Sequence, residues 1–133
     1  LMMQALKRAG AAFVAMVDRE PWRLELAEHL GADAAVEADK LTPQTFGNLA
    51  PHGFEVVADA TGVPKVIEGT FAWVRPGGKI WVFGVAPSGA TASFSPFEVF
   101  RKDLKIIGSF ALNKTFHEAI ALVQGGALTL GPI

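Results

Sequence analysis

The side chain best suited to ligand chemistry is the carboxylate of Asp18, which ends an apolar segment and precedes a helix-forming one. The segment 12–31 reads AFVAMVDREPWRLELAEHLG. In nucleotide-binding sheets, an acidic residue at the tip of the second strand accepts hydrogen bonds from an adenosine ribose, and its charge repels a 2′-phosphate. Aspartate also commonly caps a helix, so the residue type alone leaves both roles open.

Two arginines follow this carboxylate. Arg23 lies five residues after Asp18, about one turn inside the next helix, where a cation can reach an adenosine ribose and phosphate. Arg19 can lie flat over an adenine ring. Either arginine taken alone is more typical of a solvated surface charge. The step from Asp18 to Arg23 supports the ribose-binding role of Asp18, whose charge favours NAD over NADP as a ligand.

Small residues end two later apolar segments. The segment 59–62 reads DATG, and the segment 83–85 reads FGV. Residues without bulky side chains let the backbone approach a flat adenine or ribose, and apolar groups around a glycine can press on a nicotinamide ring. The alternatives are a plain turn before Pro64 for the first segment and core plus turn for the second.

Other kinds of catalytic site lack essential residues. His117-Glu118 would need a second histidine where Ala121 stands. Ser88 is flanked at two residues' distance by alanines where a nucleophile elbow needs glycines. The chain has no cysteine and therefore no thiolate nucleophile or metal ligand. We predict no catalytic residue and no metal ligand within this chain.

The composition favours a single globular domain and argues against several classes of partner. A chain of 133 residues, half of them hydrophobic, fits one compact domain. Its 12 basic and 13 acidic residues leave no basic surface for nucleic acid. Its apolar runs are too short to span a bilayer, and its start lacks the pattern of a signal peptide. We expect a cytoplasmic protein without a membrane or nucleic-acid partner.

Short apolar segments alternate with helical patterns, which predicts an α/β fold with a doubly wound parallel sheet. Right-handed crossovers would place the strand tips at 17–18, 60–62 and 83–85 along one carboxyl edge, where such sheets bind ligands. Helices are expected at 1–9, from Pro21 to Gly31, from Thr42 to Leu49, from Pro64 to Val74 before a break at RPGG, and from Asn113 to Val123. Strands are expected at 12–17, 34–37, 55–58, 79–83 and 104–110.

Four motifs, RLELAEHLGAD, DATG, RPGGK and IIGSF, occur in this order. At these intervals, the chain resembles the coenzyme domain of the medium-chain dehydrogenase/reductase family, which includes zinc-dependent alcohol and polyol dehydrogenases. The resemblance implies that residues 1–133 form a partial dinucleotide-binding, Rossmann-like domain, truncated before the glycine-rich loop and lacking the first strand. It also implies that the catalytic zinc domain lies outside this chain.

The resemblance assigns cofactor-binding roles. The second-strand carboxylate, Asp18, would bind the adenosine ribose with help from Arg23. The segment 108–110 resembles the last nicotinamide-side strand, which commonly pairs across a dimer, so a homo-oligomer is implied. The full predicted set is Asp18, Arg19, Arg23, Ala60, Thr61, Gly62, Phe83, Gly84, Val85, Ser109 and Phe110.

The function implied for the parent protein is that of an NAD-dependent, zinc-binding dehydrogenase. It would oxidise a secondary alcohol or polyol to a ketone by passing hydride to the nicotinamide, whereas the chain alone would be inactive because its zinc lies elsewhere. One alternative is a zinc-free, NADPH-dependent quinone or enone reductase of the same superfamily. Others are a methyltransferase that uses S-adenosylmethionine and a non-catalytic nucleotide-binding module.

Overall fold

A computed structural model of the chain describes residues 1–110 and 115–131. The chain divides into two compact units, one from residues 1–49 and 112–133 and the other from residues 50–111. Parallel strands with flanking helices confirm the predicted Rossmann-like α/β class. The strands pair in two sheets, of order β1-β2 and β3-β4-β5.

The described secondary structure alternates as expected. The strands are β1 Ala15–Asp18, β2 Ala34–Glu37, β3 Phe54–Asp59, β4 Val74–Val82 and β5 Lys105–Gly108. The helices are α1 Met2–Arg8, α2 Pro21–His29, α3 Pro43–Leu49, α4 Pro64–Trp73, α5 Pro96–Arg101 and α6 Phe116–Gln124, with a 3-10 turn at Ala38–Lys40. No helix in the described parts of the chain is long and apolar enough to cross a membrane.

In the first unit, the Asp33 carboxylate stabilises the backbone at the start of the two-stranded sheet. Asp33 accepts a 2.6 Å hydrogen bond from the Val14 backbone nitrogen and a 2.8 Å salt bridge from Lys7. The Asp33 nitrogen in turn donates to the Val14 carbonyl at 3.0 Å. These contacts use the backbone nitrogen and carbonyl of Val14, just before the paired strands. Strand β1 therefore begins at Ala15 and not at the predicted residue 12.

The second unit has its hydrophobic core on the three-stranded sheet. Val74, Ile80 and Leu104 are buried together, and Ile80 is fully enclosed. Partly buried Val57 and Phe71 pack against them. Burial of this apolar surface is the main favourable term that holds the sheet to its helices.

Helix α4 ends at Trp73, just before RPGG, as the sequence predicted. The segment RPGG at 75–78 itself lies within β4, so the predicted start of this strand at residue 79 is wrong. The pairing register between β3 and β4 shifts between Phe54 and Val56, and Gly77 has a φ of 74°. Extra residues in one strand form a bulge, and glycine readily adopts the positive φ that such a bulge can require. The sequence pattern that indicated a turn therefore marks an irregular strand.

Several other predicted boundaries also need correction. Strand β3 runs one residue further at each end than 55–58, and β5 is shorter than 104–110. The predicted start of the last helix at Asn113 lies outside the described residues. Helix α5 was missed, although Ser95 and Pro96 mark its start and the Ser95 hydroxyl accepts a hydrogen bond from the Glu98 nitrogen.

The Asp33 contacts predict a pH-dependent stability. The hydrogen bond from Lys7, followed by that from Val14, lowers the pKa of Asp33 from its ordinary 3.8. A lowered folded-state pKa adds stability above the unfolded pKa that is lost as the pH falls through the folded one. Urea unfolding should therefore find Asp33→Asn less stable than wild type at neutral pH, with the difference vanishing in acid. The exposed Asp39→Asn should match wild type throughout. A pH-independent deficit in Asp33→Asn would contradict this account.

Candidate functional site

Asp18 is the last residue of β1 and directs its carboxylate at the following turn. Oδ1 accepts hydrogen bonds from the backbone nitrogens of Arg19 and Glu20, at 2.8 and 3.0 Å. The N-cap of α2 is Glu20, which makes no side-chain cap bond. Asp18 therefore orders the entry to α2 from outside the helix, and its side chain keeps 32% of its surface exposed.

The two arginines after Asp18 differ in their surroundings. An Arg23 guanidinium nitrogen lies 3.6 Å from Asp18 Oδ2, and the guanidinium carbon is 5.2 Å from the centre of the Trp22 ring. Arg19 is exposed, and its backbone nitrogen donates a hydrogen bond to Asp18 Oδ1. Arg23 thus contacts both Asp18 and Trp22. Because the ion pair with Asp18 is exposed, it adds only about 0 to 1 kcal/mol of stability.

In the second unit, the buried carboxylate of Asp59 organises the turn 60–62. The residue is 1% exposed. Its Oδ1 accepts hydrogen bonds from the Thr61 nitrogen at 3.0 Å and the Thr61 hydroxyl at 2.6 Å. Its Oδ2 accepts from the Gly62 nitrogen at 3.0 Å. Three donors from one turn therefore satisfy a carboxylate that burial would otherwise make costly.

The backbone carbonyl of Asp59 binds the end of the neighbouring strand. It accepts hydrogen bonds from the Phe83 nitrogen at 3.0 Å and the Gly84 nitrogen at 2.8 Å. The predicted groups 60–62 and 83–85 thus lie at the carboxyl ends of adjacent parallel strands, as expected. Asp59 is thus hydrogen-bonded to both groups, through its carboxylate to the turn 60–62 and through its carbonyl to Phe83 and Gly84.

The same two turns touch through their glycines. A Cβ on Gly84 would collide with the Gly62 nitrogen and come within 2.7 Å of the Thr61 nitrogen. A Cβ on Gly62, whose φ is +69°, would collide with the Val85 carbonyl. The backbones approach so closely that neither turn can accept a side chain at these positions.

The residues that flank these glycines face solvent. Ala60 and Thr61 are exposed, as are Phe83 and Val85, the latter at 91%. The side chains of these two turns are therefore accessible from solvent, while the glycines between them are enclosed by backbone.

The hydroxyl of Thr61 has two partners within the turn. It donates to Asp59 and accepts a 3.0 Å hydrogen bond from the Val63 nitrogen. Its proton is therefore committed to the carboxylate. A ligand at this turn would meet the Thr61 backbone and the side-chain carbon atoms.

Ser109 and Phe110 follow β5, at the end of the sheet that also carries the turn at 83–85. The Ser109 hydroxyl accepts a 3.1 Å hydrogen bond from the Trp81 indole nitrogen, and the Ser109 nitrogen donates to Val82. Trp81 packs edge-on against Phe83, with ring centres 5.2 Å apart. Phe110 is 88% exposed. Trp81 therefore links two members of the predicted site.

Sequence reasoning did not include Asp59 or Trp81 among the site residues. For Asp59, the available signal was an acidic residue at the end of an apolar run, two and three residues before Thr61 and Gly62, which can donate from a turn. For Trp81, alternation along the strand indicated only a packed aromatic side chain. Its bond to Ser109 depends on the register of β4 against β5.

The described residues do not fit a zinc site. Residues 1–110 and 115–131 contain no group of three histidine, cysteine or acidic side chains placed to hold a metal ion. The whole sequence lacks cysteine.

The parallel strands and flanking helices define a domain of the Rossmann-like α/β class. A family model for zinc-binding dehydrogenases matches residues 1–125. The chain belongs to the zinc-binding dehydrogenase family, which confirms the resemblance found in its motifs.

Two curated relatives are sugar-alcohol dehydrogenases by name. The chain is 36% identical over 124 residues to D-altritol 5-dehydrogenase of Agrobacterium fabrum, covering 93% of this chain and 35% of that protein. It is 32% identical over 133 aligned positions to D-arabinitol dehydrogenase 1 of Uromyces fabae, covering 96% and 38%. The chain thus spans little more than a third of the length of these relatives.

A solved structure confirms the fold. An NADP-bound crystal structure of a protein from Sinorhizobium meliloti 1021 superposes with a TM-score of 0.91 and 27% sequence identity. The match covers 98% of this chain and 39% of that protein.

The close contact at Gly84 predicts that an added side chain lowers the stability of the fold at this position and not at an open one. Gly84→Ala should lower the free energy of unfolding by about 1–3 kcal/mol, the usual cost of overpacking, because the new Cβ would meet the backbone of the turn 60–62. Gly108→Ala is the matched control, since nothing lies within 4 Å of a Cβ there. Denaturant unfolding of both variants checks this prediction. Equal stability of the two variants would contradict it.

Proposed function

We propose that the protein containing this chain is an NAD-dependent dehydrogenase that oxidises a secondary alcohol of a polyol to a ketone. Residues 1–133 would form part of its dinucleotide-binding domain. The observation that carries this proposal is the membership of residues 1–125 in the zinc-binding dehydrogenase family. The names of the two sugar-alcohol dehydrogenases support the substrate class.

Asp18 supports the choice of NAD. Its partly exposed carboxylate at the end of β1 can accept hydrogen bonds from both hydroxyls of an adenosine ribose. The same charge would repel a 2′-phosphate, which disfavours NADP. Arg23, beside the carboxylate, would contribute a cation to the adenosine end, and exposed Arg19 would cover the adenine. The NADP-bound relative makes NADP the alternative to test.

In the second unit, the exposed residues at the turns would contact the dinucleotide. Ala60 and Thr61, with Gly62 behind them, would lie against the adenosine side. Phe83, Gly84 and Val85 would lie against the nicotinamide side, with Ser109 and Phe110 nearby. When bound, the nicotinamide supplies the hydride acceptor, and these residues bind and orient it.

Zinc dependence and self-association are also part of the proposal. The family name supports a zinc requirement, and the ligands would come from residues other than those described here. All four residues of β5 are exposed, and β5 lies at one end of the strand order in its sheet. An exposed edge strand can pair with a copy of itself, which would form a homo-oligomer.

The activity is tested on the full-length protein. With zinc and NAD present, polyols should produce NADH, which is followed by its absorbance at about 340 nm, where the reduced nicotinamide absorbs and the oxidised form does not. Metal analysis of the purified protein should find zinc. Activity with NADPH and quinones in a zinc-free protein would instead establish the reductase alternative. Absence of both activities over a broad panel would overturn the proposal.

Asp18→Asn is predicted to alter dinucleotide choice. Loss of the charged acceptor should weaken NADH binding by about tenfold, as expected for one lost hydrogen bond to a charged group. The same change should improve NADPH binding, because repulsion of its 2′-phosphate is removed. Fluorescence titration of both dinucleotides measures this, with the exposed Asp39→Asn as the control for a lost charge. Unchanged selectivity in Asp18→Asn would contradict the assignment.

A further inference from the structure

Asp59 is hydrogen-bonded to both turns of the proposed dinucleotide site in the second unit. Its carboxylate binds the turn 60–62, and its carbonyl binds Phe83 and Gly84. We propose that Asp59 is a positioning residue, which fixes the spacing between these turns so that their exposed residues match a bound dinucleotide. This inference rests on the proposed function and assigns a role to a residue that does not itself touch the ligand.

The partners of the carboxylate show what it controls. Within residues 1–110 and 115–131, its three donors come from Thr61 and Gly62, and none comes from the core of the second unit at Val74, Ile80 and Leu104. Bonds between a charged acceptor and neutral donors are about twice as strong as neutral ones. The carboxylate therefore acts on the conformation of one turn.

The second turn follows the first because the two are in contact. Gly84 lies against the Gly62 and Thr61 nitrogens, where even a methyl group has no room. A change in the turn 60–62 must therefore move the end of β4 or break its bonds to the Asp59 carbonyl. Loss of the carboxylate should disturb the adenosine-side and nicotinamide-side groups together.

An asparagine at this position retains the shape of the side chain but only one acceptor oxygen. Its amide group would face a backbone N–H or the Thr61 hydroxyl, so at least one of the present hydrogen bonds is lost. The hydroxyl of Thr61 offers an independent test, since its proton is donated to the same carboxylate. Serine keeps that donor, whereas valine has nearly the shape of threonine but no donor.

The experiment uses the full-length protein with Asp59→Asn, Thr61→Val and Thr61→Ser. Asp33→Asn is the matched control, because Asp33 also accepts a backbone hydrogen bond but precedes the amino end of its strand. NADH binding is measured by fluorescence titration, and steady-state kinetics separate KM for the dinucleotide from kcat. Hydrogen exchange without ligand follows the amides of Gly62 and Gly84.

We expect Asp59→Asn and Thr61→Val to raise the Kd and KM for the dinucleotide by about tenfold, the effect of one lost hydrogen bond to a charged group. At saturating dinucleotide, kcat should change by less than about threefold. Exchange at Gly62 and Gly84 should accelerate. Thr61→Ser, which keeps the donor to Asp59, should bind the dinucleotide more tightly than Thr61→Val, and Asp33→Asn should lose stability without a change in Kd.

Two results would overturn the inference. The first is unchanged dinucleotide affinity in folded Asp59→Asn, or in Thr61→Val should Asp59→Asn fail to fold. The second is equal affinity loss in Asp33→Asn, which would indicate a general stability effect. Failure of the proposed function is distinguishable, because the wild-type protein would then bind neither NADH nor NADPH.

Discussion

The hydrogen bonds of Asp59 set the constraint on which the proposed site depends. A buried carboxylate must be satisfied by donors, and here the nearest ones belong to the turn that leaves β3. The carbonyl of the same residue holds the end of β4 at 2.8 Å from Gly84. Because the two turns touch at their glycines, a side chain at Gly84 would displace the turn 60–62 or the end of β4.

Aspartates that bind backbone nitrogens recur at the strand ends of both units. Asp33 holds Val14 before β1, Asp18 holds the turn after β1, and Asp59 holds the turn after β3. They differ in what remains available to a ligand. Asp59 is enclosed and acts only within the protein, whereas the Asp18 side chain keeps about a third of its surface exposed. The same local chemistry thus leaves one carboxylate enclosed in the protein and the other accessible from solvent.

The sequence predicted the alternation of strands and helices because hydrophobic periodicity and helix-end signals are local properties. It placed the groups at 60–62 and 83–85 on adjacent strand ends, and the parallel pairing of β3 with β4 confirms this. It placed the start of β4 after RPGG, since a bulge depends on how β4 pairs with its neighbour. The links from the Asp59 carbonyl to Phe83 and Gly84, and from Trp81 to Ser109, were missed for the same reason. They join residues whose proximity is set by strand register, which local sequence patterns do not reveal.

The most direct test of this account is a crystal structure of the full-length protein with NADH bound. The account predicts that the dinucleotide lies against the exposed residues of the turns 60–62 and 83–85. The Asp59 carboxylate should remain bonded to Thr61 and Gly62 beneath it, without touching the ligand. A dinucleotide bound away from both turns, or one that contacts Asp59 directly, would contradict the account.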